Sequence, residues 1–352
     1  MRILLIRTSA LGDIVHCLPA LRALRAHLPA ARIGWVVEDV FAPLLERDRD
    51  LDEVLTVRLR RWRQAPFAAA TLRELTASLS RLSDFGADVV LDLMGNHKAG
   101  VLAAVTACDR RIGLTGRLRR EGSSAAWLSE WVDAPDGHAV DRALAVISAL
   151  GAPSGFPGFG PEKILAAGGV GPGSPVPPEE APVVLHPGAA WPSKLYPAAR
   201  WGRVAAELAR RSGRRILVSA GPSEASLAAE VERASGGVAE RADAQDLPRL
   251  VALLAGAALV LGGDTGPLHL AHALGVPTLF LHGPTDPRTH GPYGAPERAL
   301  RGSRSAELAG RRGAAAAAVD VPEEEVVARA LADLADLPPL ERRSGASGHH
   351  RV

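Results

Sequence analysis

Leu259-Val260-Leu261 is an apolar run that stops at Gly262-Gly263 and gives way to Asp264-Thr265-Gly266, with helical spacing from Leu268 onward. A strand that ends in glycines and feeds straight into a helix is a narrow structural choice. It leaves backbone N–H groups and the positive end of the helix dipole exposed at the turn, which favours a bound anion. The chain opens in a closely similar way. Residues 3–6 are apolar, Thr8-Ser9-Ala10-Leu11-Gly12-Asp13 follows, and Ile14 starts a helical pattern. Two such units, each with an acidic residue at its turn, predict two α/β domains facing one cleft. That arrangement suits a nucleotide-linked ligand in one half and a second ligand in the other.

The rest of the chain reads in the same alternating manner. Strands are expected at 3–6, 33–37, 54–57 and 87–93, with helices at 14–28 and 72–82. A second series follows, with strands at 183–185, 215–219, 258–261 and 278–281 and helices at 198–211, 247–255, 268–274 and 323–337. Alternation of this kind implies βαβ units and parallel sheets. Between 151 and 182, sixteen of 32 residues are Gly or Pro, which argues against a long regular element and for an interdomain connection. The expected division is a first domain over 1–160, a connection over 161–182, a second domain over 183–337 and a disordered polar tail over 338–352.

Composition removes several alternatives. With 47% hydrophobic and 23% charged residues among 352, the chain has the make-up of a packed globular protein. Aromatic residues are only 4%, so stacking platforms for nucleic acid are nearly absent. Cys17 and Cys108 are far apart without metal-ligand spacing and are expected to be small buried residues. Neither a signal peptide nor a membrane span is expected, because residues 3–6 form too short an apolar run and none approaches about 18 residues. The expected location is the cytoplasm, with peripheral contact at the inner membrane surface. No Gly-x-Gly-x-x-Gly follows the first strand, which argues against a dinucleotide-dependent dehydrogenase.

Several stretches, in order over residues 1 to about 295, resemble the bacterial ADP-heptose:lipopolysaccharide heptosyltransferases, glycosyltransferase family 9. They are the run from Thr8 to Leu21, Trp35-Val36-Val37-Glu38, Arg60-Arg61-Trp62-Arg63, Asp92-Leu93-Met94-Gly95 with Lys98, and His138-Ala139-Val140-Asp141-Arg142. The second half adds His186-Pro187-Gly188, Lys194, Gly221-Pro222-Ser223-Glu224, Asp264-Thr265-Gly266 with His269, and Gly283-Pro284-Thr285-Asp286-Pro287. The resemblance implies a GT-B architecture, two Rossmann-like domains whose parallel sheets face a central cleft. It also implies inverting transfer of heptose from ADP-heptose to Kdo of the lipid A core, with no cofactor and no metal. The chain departs from the family pattern at Met94, Gly188-Ala189-Ala190, Tyr196 and Pro267, which bears on the donor's base and sugar more than on the reaction class.

Inverting transfer needs a base for the acceptor hydroxyl and stabilisation of the leaving diphosphate. The resemblance places the base at Asp13; a helix-capping carboxylate is the alternative for the same residue. It places Lys194 on the diphosphate, Thr265 and Gly266 at the anion-binding helix start, and Asp264 near the sugar hydroxyls. Glu224 follows a strand and can hold ribose hydroxyls, or serve as a first-turn helix glutamate. His269 is counted on the donor side, although one turn into a helix it also fits a core histidine, as does His186. Arg60, Arg61 and Arg63, with Lys98, Arg120 and His138, are expected to bind an anionic acceptor, since guanidinium forks suit carboxylates and phosphates. A solvated basic surface is the alternative. Two other functions remain open at this point: a nucleotide-sugar 2-epimerase of the same architecture, and a non-catalytic sugar-nucleotide binding protein.

Overall fold

A computed structural model of the chain describes residues 1–171, 176–177, 179–244, 246–303 and 319–336. Two six-stranded sheets, parallel throughout, organise it. The first contains β1 (Arg2–Ile6), β2 (Arg32–Glu38), β3 (Glu53–Val57), β4 (Val89–Asp92), β5 (Arg111–Leu114) and β6 (Glu130–Val132), in the order β3-β2-β1-β4-β5-β6. The second contains β7 (Val183–His186), β8 (Ile216–Val218), β9 (Ala239–Arg241), β10 (Leu259–Gly263), β11 (Thr278–His282) and β12 (Ala299–Arg301), in the order β9-β8-β7-β10-β11-β12. Both sheets therefore have the doubly wound 3-2-1-4-5-6 arrangement. Its order reverses between the first and fourth strands, where such sheets bind ligands beyond the strand ends. These two points lie between β1 and β4 and between β7 and β10.

The first half carries α1 (Leu11–His27), α2 (Leu59–Gln64), α3 (Ala69–Asp84), α4 (His97–Val105), α5 (Ala139–Ser148) and α6 (Pro161–Ala167). The second carries α7 (Ala198–Ser212), α8 (Ala225–Ala234), α9 (Leu247–Ala255), α10 (Gly266–Ala273), the short α11 (Pro287–His290) and α12 (Glu323–Ala335). The central strands are apolar on both faces because helices cover both. Ile3, Leu4, Leu5 and Ile6 are fully buried, as are Leu259, Val260 and Leu261.

One apolar core runs through both halves. It joins Leu5, Ile14 and Leu21 to Val140 and Ile147, and on to Val260, Leu268 and Phe280. Helix α1 lies in the middle of it, which explains why its sequence is apolar nearly all round. Thirteen of its 17 residues are buried. Close approach to α10 depends on two glycines. A Cβ on Gly12 would stand 2.7 Å from His269 Cδ2, and one on Gly266 would stand 2.7 Å from Leu11 Cβ and 3.1 Å from the Gly12 nitrogen.

Two features of the fold refine the reading of the sequence. The opening motif and the one at 259–272 look alike but are not counterparts. The first follows the first strand of its sheet and the second follows the fourth strand of the other, so the counterpart of β1 is β7. The connection also contains regular structure. Gly160, at φ +74°, turns the chain into α6, where Pro161 takes the first position and needs no N–H partner. The buried Arg22 then ties that segment to its surroundings through Asp48 (2.6 Å), Asp50 (2.7 Å) and the Phe159 carbonyl (3.1 Å), while Lys163 reaches Asp50 (2.5 Å). Residue 337 of the expected last helix and the tail 338–352 lie outside the described residues. Both cysteines are buried.

Candidate active site

A cleft of about 490 Å³ opens beyond the ends of β1 and β4, with Asp13 and His16 of α1 on one wall. Asp13 occupies the first turn of α1, where its Oδ2 accepts the Ala10 N–H (3.2 Å) and meets Arg7 Nη2 at 2.5 Å. It thus performs part of the capping role and still faces the cleft. Burial works against the charged form, but the Arg7 guanidinium and the Ala10 amide outweigh it and hold the carboxyl below its ordinary value. The group is ionised at neutral pH and able to accept a proton.

Asp92 forms the floor. Its Oδ1 accepts the N–H groups of Met94 and Gly95 (2.9 Å each), and its Oδ2 pairs with the fully buried Arg119. Arg117, Arg120, Arg142 and His290 complete the basic part of the lining.

The second half contributes a buried chain of polar contacts that begins beside β7 and β10. Lys194 Nζ contacts Asp264 Oδ2 at 2.6 Å and the Asp264 carbonyl at 3.3 Å. Asp264 Oδ1 lies 3.0 Å from His269 Nε2, and His269 Nδ1 lies 3.2 Å from His16 Nε2. Burial opposes ionisation of Asp264, yet the His269 hydrogen bond and the Lys194 charge hold its carboxyl well below the usual range. A carboxylate only accepts, so His269 donates Nε2–H to it. Burial holds His16 neutral, and its Nε2 shares a hydrogen bond with the other ring nitrogen of His269. The two switch points are thereby linked across the interface by named atoms.

The expected residues divide accordingly. Lys194, Asp264 and His269 come together, and Thr265 sits at the N-cap of α10 with Gly266 as its first residue, against Leu11 and Gly12. Glu224 lies in the turn before α8, where its Oε2 accepts the Gly221 N–H (2.8 Å). Gly188 leaves it room, since a Cβ there would fall 2.1 Å from Glu224 Oε1. Arg120 lines the cleft, whereas Arg60, Arg61, Arg63 and Lys98 are exposed and lie outside its lining. The first three ride on α2, where Arg61 Nη2 meets Glu74 at 3.3 Å. His138 is buried and committed at both ring nitrogens, accepting from Val140 N–H (3.1 Å) and donating to the Gly291 carbonyl (2.9 Å). It joins the two halves, and burial pushes it down to about 4.

Reading the sequence did not single out Arg7, His16, His290 or Arg142 as site residues. Arg7 and His16 stand six residues before and three after Asp13, distances that place them near it once β1 and α1 are drawn. Arg142 and His290 come from elements remote in sequence.

Residues 76–315 match the model of glycosyltransferase family 9 (heptosyltransferase). The chain is 35% identical over 315 residues to lipopolysaccharide heptosyltransferase 1 of Pseudomonas aeruginosa, covering 84% of this chain and 82% of the relative. It is 31% identical over 316 residues to lipopolysaccharide heptosyltransferase 1 of Escherichia coli K12, covering 86% and 94%. Among solved structures, Escherichia coli heptosyltransferase WaaC with ADP superposes with a TM-score of 0.77 at 26% identity, covering 95% of this chain and all of that one. The same enzyme with ADP-2-deoxy-2-fluoro heptose gives 0.74 at 27% identity, with 94% of this chain and all of that one covered.

Fold and cleft are those of a GT-B glycosyltransferase. The chain belongs to glycosyltransferase family 9, the heptosyltransferases. These relatives decide for a transferase over the epimerase and the non-catalytic binding protein. Among the described residues no helix is long and apolar enough to cross a membrane.

Proposed function

We propose that the protein transfers a heptose from ADP-heptose to Kdo of the lipid A inner core with inversion, acting in the cytoplasm at the inner face of the cell membrane. The observation that supports this reading is an ionised Asp13 on the cleft wall, one helical turn before His16, whose Nε2 reaches His269 and through it the Lys194–Asp264 pair of the other half. An acceptor held against β1 and β4 and a nucleotide-sugar held against β7 and β10 would meet at that junction.

The acceptor hydroxyl oxygen attacks the anomeric carbon as the bond to the diphosphate breaks. Asp13 takes the hydroxyl proton, and ADP leaves. Lys194 and the N–H groups at the start of α10 face the charge that grows on the diphosphate, while Asp264 is placed for sugar hydroxyls and Glu224 for ribose hydroxyls. The displacement changes no oxidation state, and the cationic side chains can carry the phosphate charge, so turnover is expected to persist in EDTA. Residues 1–160 form the acceptor domain and 183–337 the donor domain in this reading, with Arg60, Arg61, Arg63, Lys98 and Arg120 serving the acceptor's anionic groups.

The test is a donor panel (ADP-heptose, UDP-sugars and GDP-sugars) offered with Kdo-lipid A and followed by mass detection. One heptose added to the acceptor per ADP released supports the reading. Free sugar and nucleoside diphosphate without acceptor product contradict it.

A further inference from the structure

The stretch Arg63-Gln64-Ala65-Pro66-Phe67-Ala68-Ala69-Ala70 is exposed without a break. After its first two residues it is wholly apolar, and Phe67 is 91% exposed. Leu72, half exposed, extends the apolar surface onto α3. Folding therefore leaves a continuous apolar tip in water, a surface whose burial would be favourable. Arginines flank it on both sides. Arg60, Arg61 and Arg63 precede the tip and Arg73 follows it, all exposed. Among the described residues, Arg61 alone of these four pairs with a carboxylate, that of Glu74 at 3.3 Å.

The tip is held by the helices at its base. Trp62 of α2 is buried in a core cluster of the first half, and its indole Nε1 donates to Glu74 Oε2 of α3 at 3.4 Å. The turn is closed by the Ala68 N–H, which donates to the Ala65 carbonyl (3.2 Å), and the Leu72 N–H donates to the Ala68 carbonyl (3.0 Å) as α3 begins. Helix α2 follows the C-terminal end of β3. In a parallel sheet that is the edge beyond which the cleft opens at β1 and β4. Since β3 is two strands from β1, the hairpin is rooted about 10 Å from that strand.

We infer that the turn between α2 and α3 is a membrane-docking surface. Phe67 and its neighbouring alanines enter the boundary between headgroups and acyl chains of an anionic bilayer, and Arg60, Arg63 and Arg73 lie among the headgroups. The inference rests on the function proposed above, which puts the acceptor in a bilayer, and it names the surface that meets that bilayer. An apolar tip bordered by cations matches both layers, the acyl boundary by burial and the anionic headgroups by charge. A second copy of the chain fits less well. A two-fold contact through this tip would set the arginines of one copy against those of the other, and like charges so placed are costly. A bilayer held on this edge lies beside the cleft mouth, so an acceptor can reach Asp13 while its acyl chains stay in the lipid.

The test is co-sedimentation of wild type, Phe67→Ser and Phe67→Trp with two kinds of vesicle, both free of lipid A. One is phosphatidylethanolamine with phosphatidylglycerol, the other neutral phosphatidylcholine. Wild type should bind the anionic vesicles, more weakly at 1 M salt and more weakly still on the neutral ones. Phe67→Ser should weaken anionic-vesicle binding about 10-fold or more. Phe67→Trp should retain it, with a blue shift in emission that wild type lacks. On deacylated Kdo-lipid A in solution Phe67→Ser should turn over like wild type, whereas on vesicle-embedded Kdo-lipid A its KM should rise by the factor lost in binding. Wild type that stays off anionic vesicles, equal binding to neutral ones, undiminished binding by Phe67→Ser, or an equal loss on the soluble acceptor would each overturn the assignment. So would a wild-type dimer in sedimentation that Phe67→Ser dissociates, since the partner would then be a second copy. Vesicle binding is read without donor or acceptor, so a protein that binds vesicles but transfers no heptose would refute the proposed function and leave the docking surface standing.

Discussion

Lys194 is paired with a buried carboxylate, so a structural contribution can be separated by mutation from the donor contact proposed for it and for Glu224. Lys194→Met and Glu224→Ala should each weaken ADP binding by about one to two decades, the worth of a charge-assisted contact. Lys194→Met should also lower the unfolding temperature, because Asp264 is 4% exposed and would lose its counter-ion. Glu224→Ala should not, since its side chain bonds a turn amide at a half-buried site. Calorimetry and thermal denaturation read the two effects; full ADP affinity in Lys194→Met would remove Lys194 from the donor site. Arg60→Ala combined with Arg61→Ala should spare ADP binding and raise the acceptor KM, with an effect that shrinks at high salt because both groups are exposed. Loss of ADP binding in that pair would reverse the assignment of the two halves. At this scale the sequence was informative where a residue sits at a strand-to-helix turn, as Asp13 and Asp264 do. It named Arg142 only inside a matching stretch and gave it no role, because the burial of its Nε without a partner exists only after folding.

The helices α1 and α10 meet at glycines, and that contact sets the distance between the halves. Gly12→Ala should cost about 1–3 kcal/mol, the usual penalty for forcing an extra methyl into a packed core. It should also disturb the His16–His269 contact, since the new Cβ would lie 2.7 Å from His269 Cδ2. Chemical denaturation measures the loss; unchanged stability would mean that the helices can separate freely. The central strands were legible because parallel strands buried on both faces are continuous apolar runs, as in Val183–His186. The outer strands β5, β6, β9 and β12 were not recognised. Each has three or four residues, and segments such as Glu130-Trp131-Val132 and Ala239-Glu240-Arg241 are half polar, as edge strands commonly are. The Gly/Pro-rich stretch concealed α6, because Gly and Pro are breakers inside a helix but favourable at its start.

Across the whole molecule, histidines are concentrated in the region where the halves meet. Burial pushes both His138 and His282 down to about 4, and His16 and His272 are also lowered, with burial the largest cause in each. Below pH 6.5 the unfolded chain takes up protons on these groups while the folded one resists, so stability must fall as pH drops from about 6.5 towards 4. Each pH unit in that window is worth up to about 1.4 kcal/mol per histidine. Thermal denaturation at pH 7.5, 6 and 5 should give steadily lower midpoints, and a flat profile would mean that the interface opens to water before the protein unfolds. The central claim is that one cleft joins a proton-accepting carboxylate to a separate nucleotide site, and Asp13→Asn tests it most directly, with single-turnover rate and ADP affinity measured on the same preparation. The account predicts turnover reduced by about 10²–10⁴-fold with ADP affinity unchanged. Turnover close to wild type would leave Asp13 as a capping residue and contradict it.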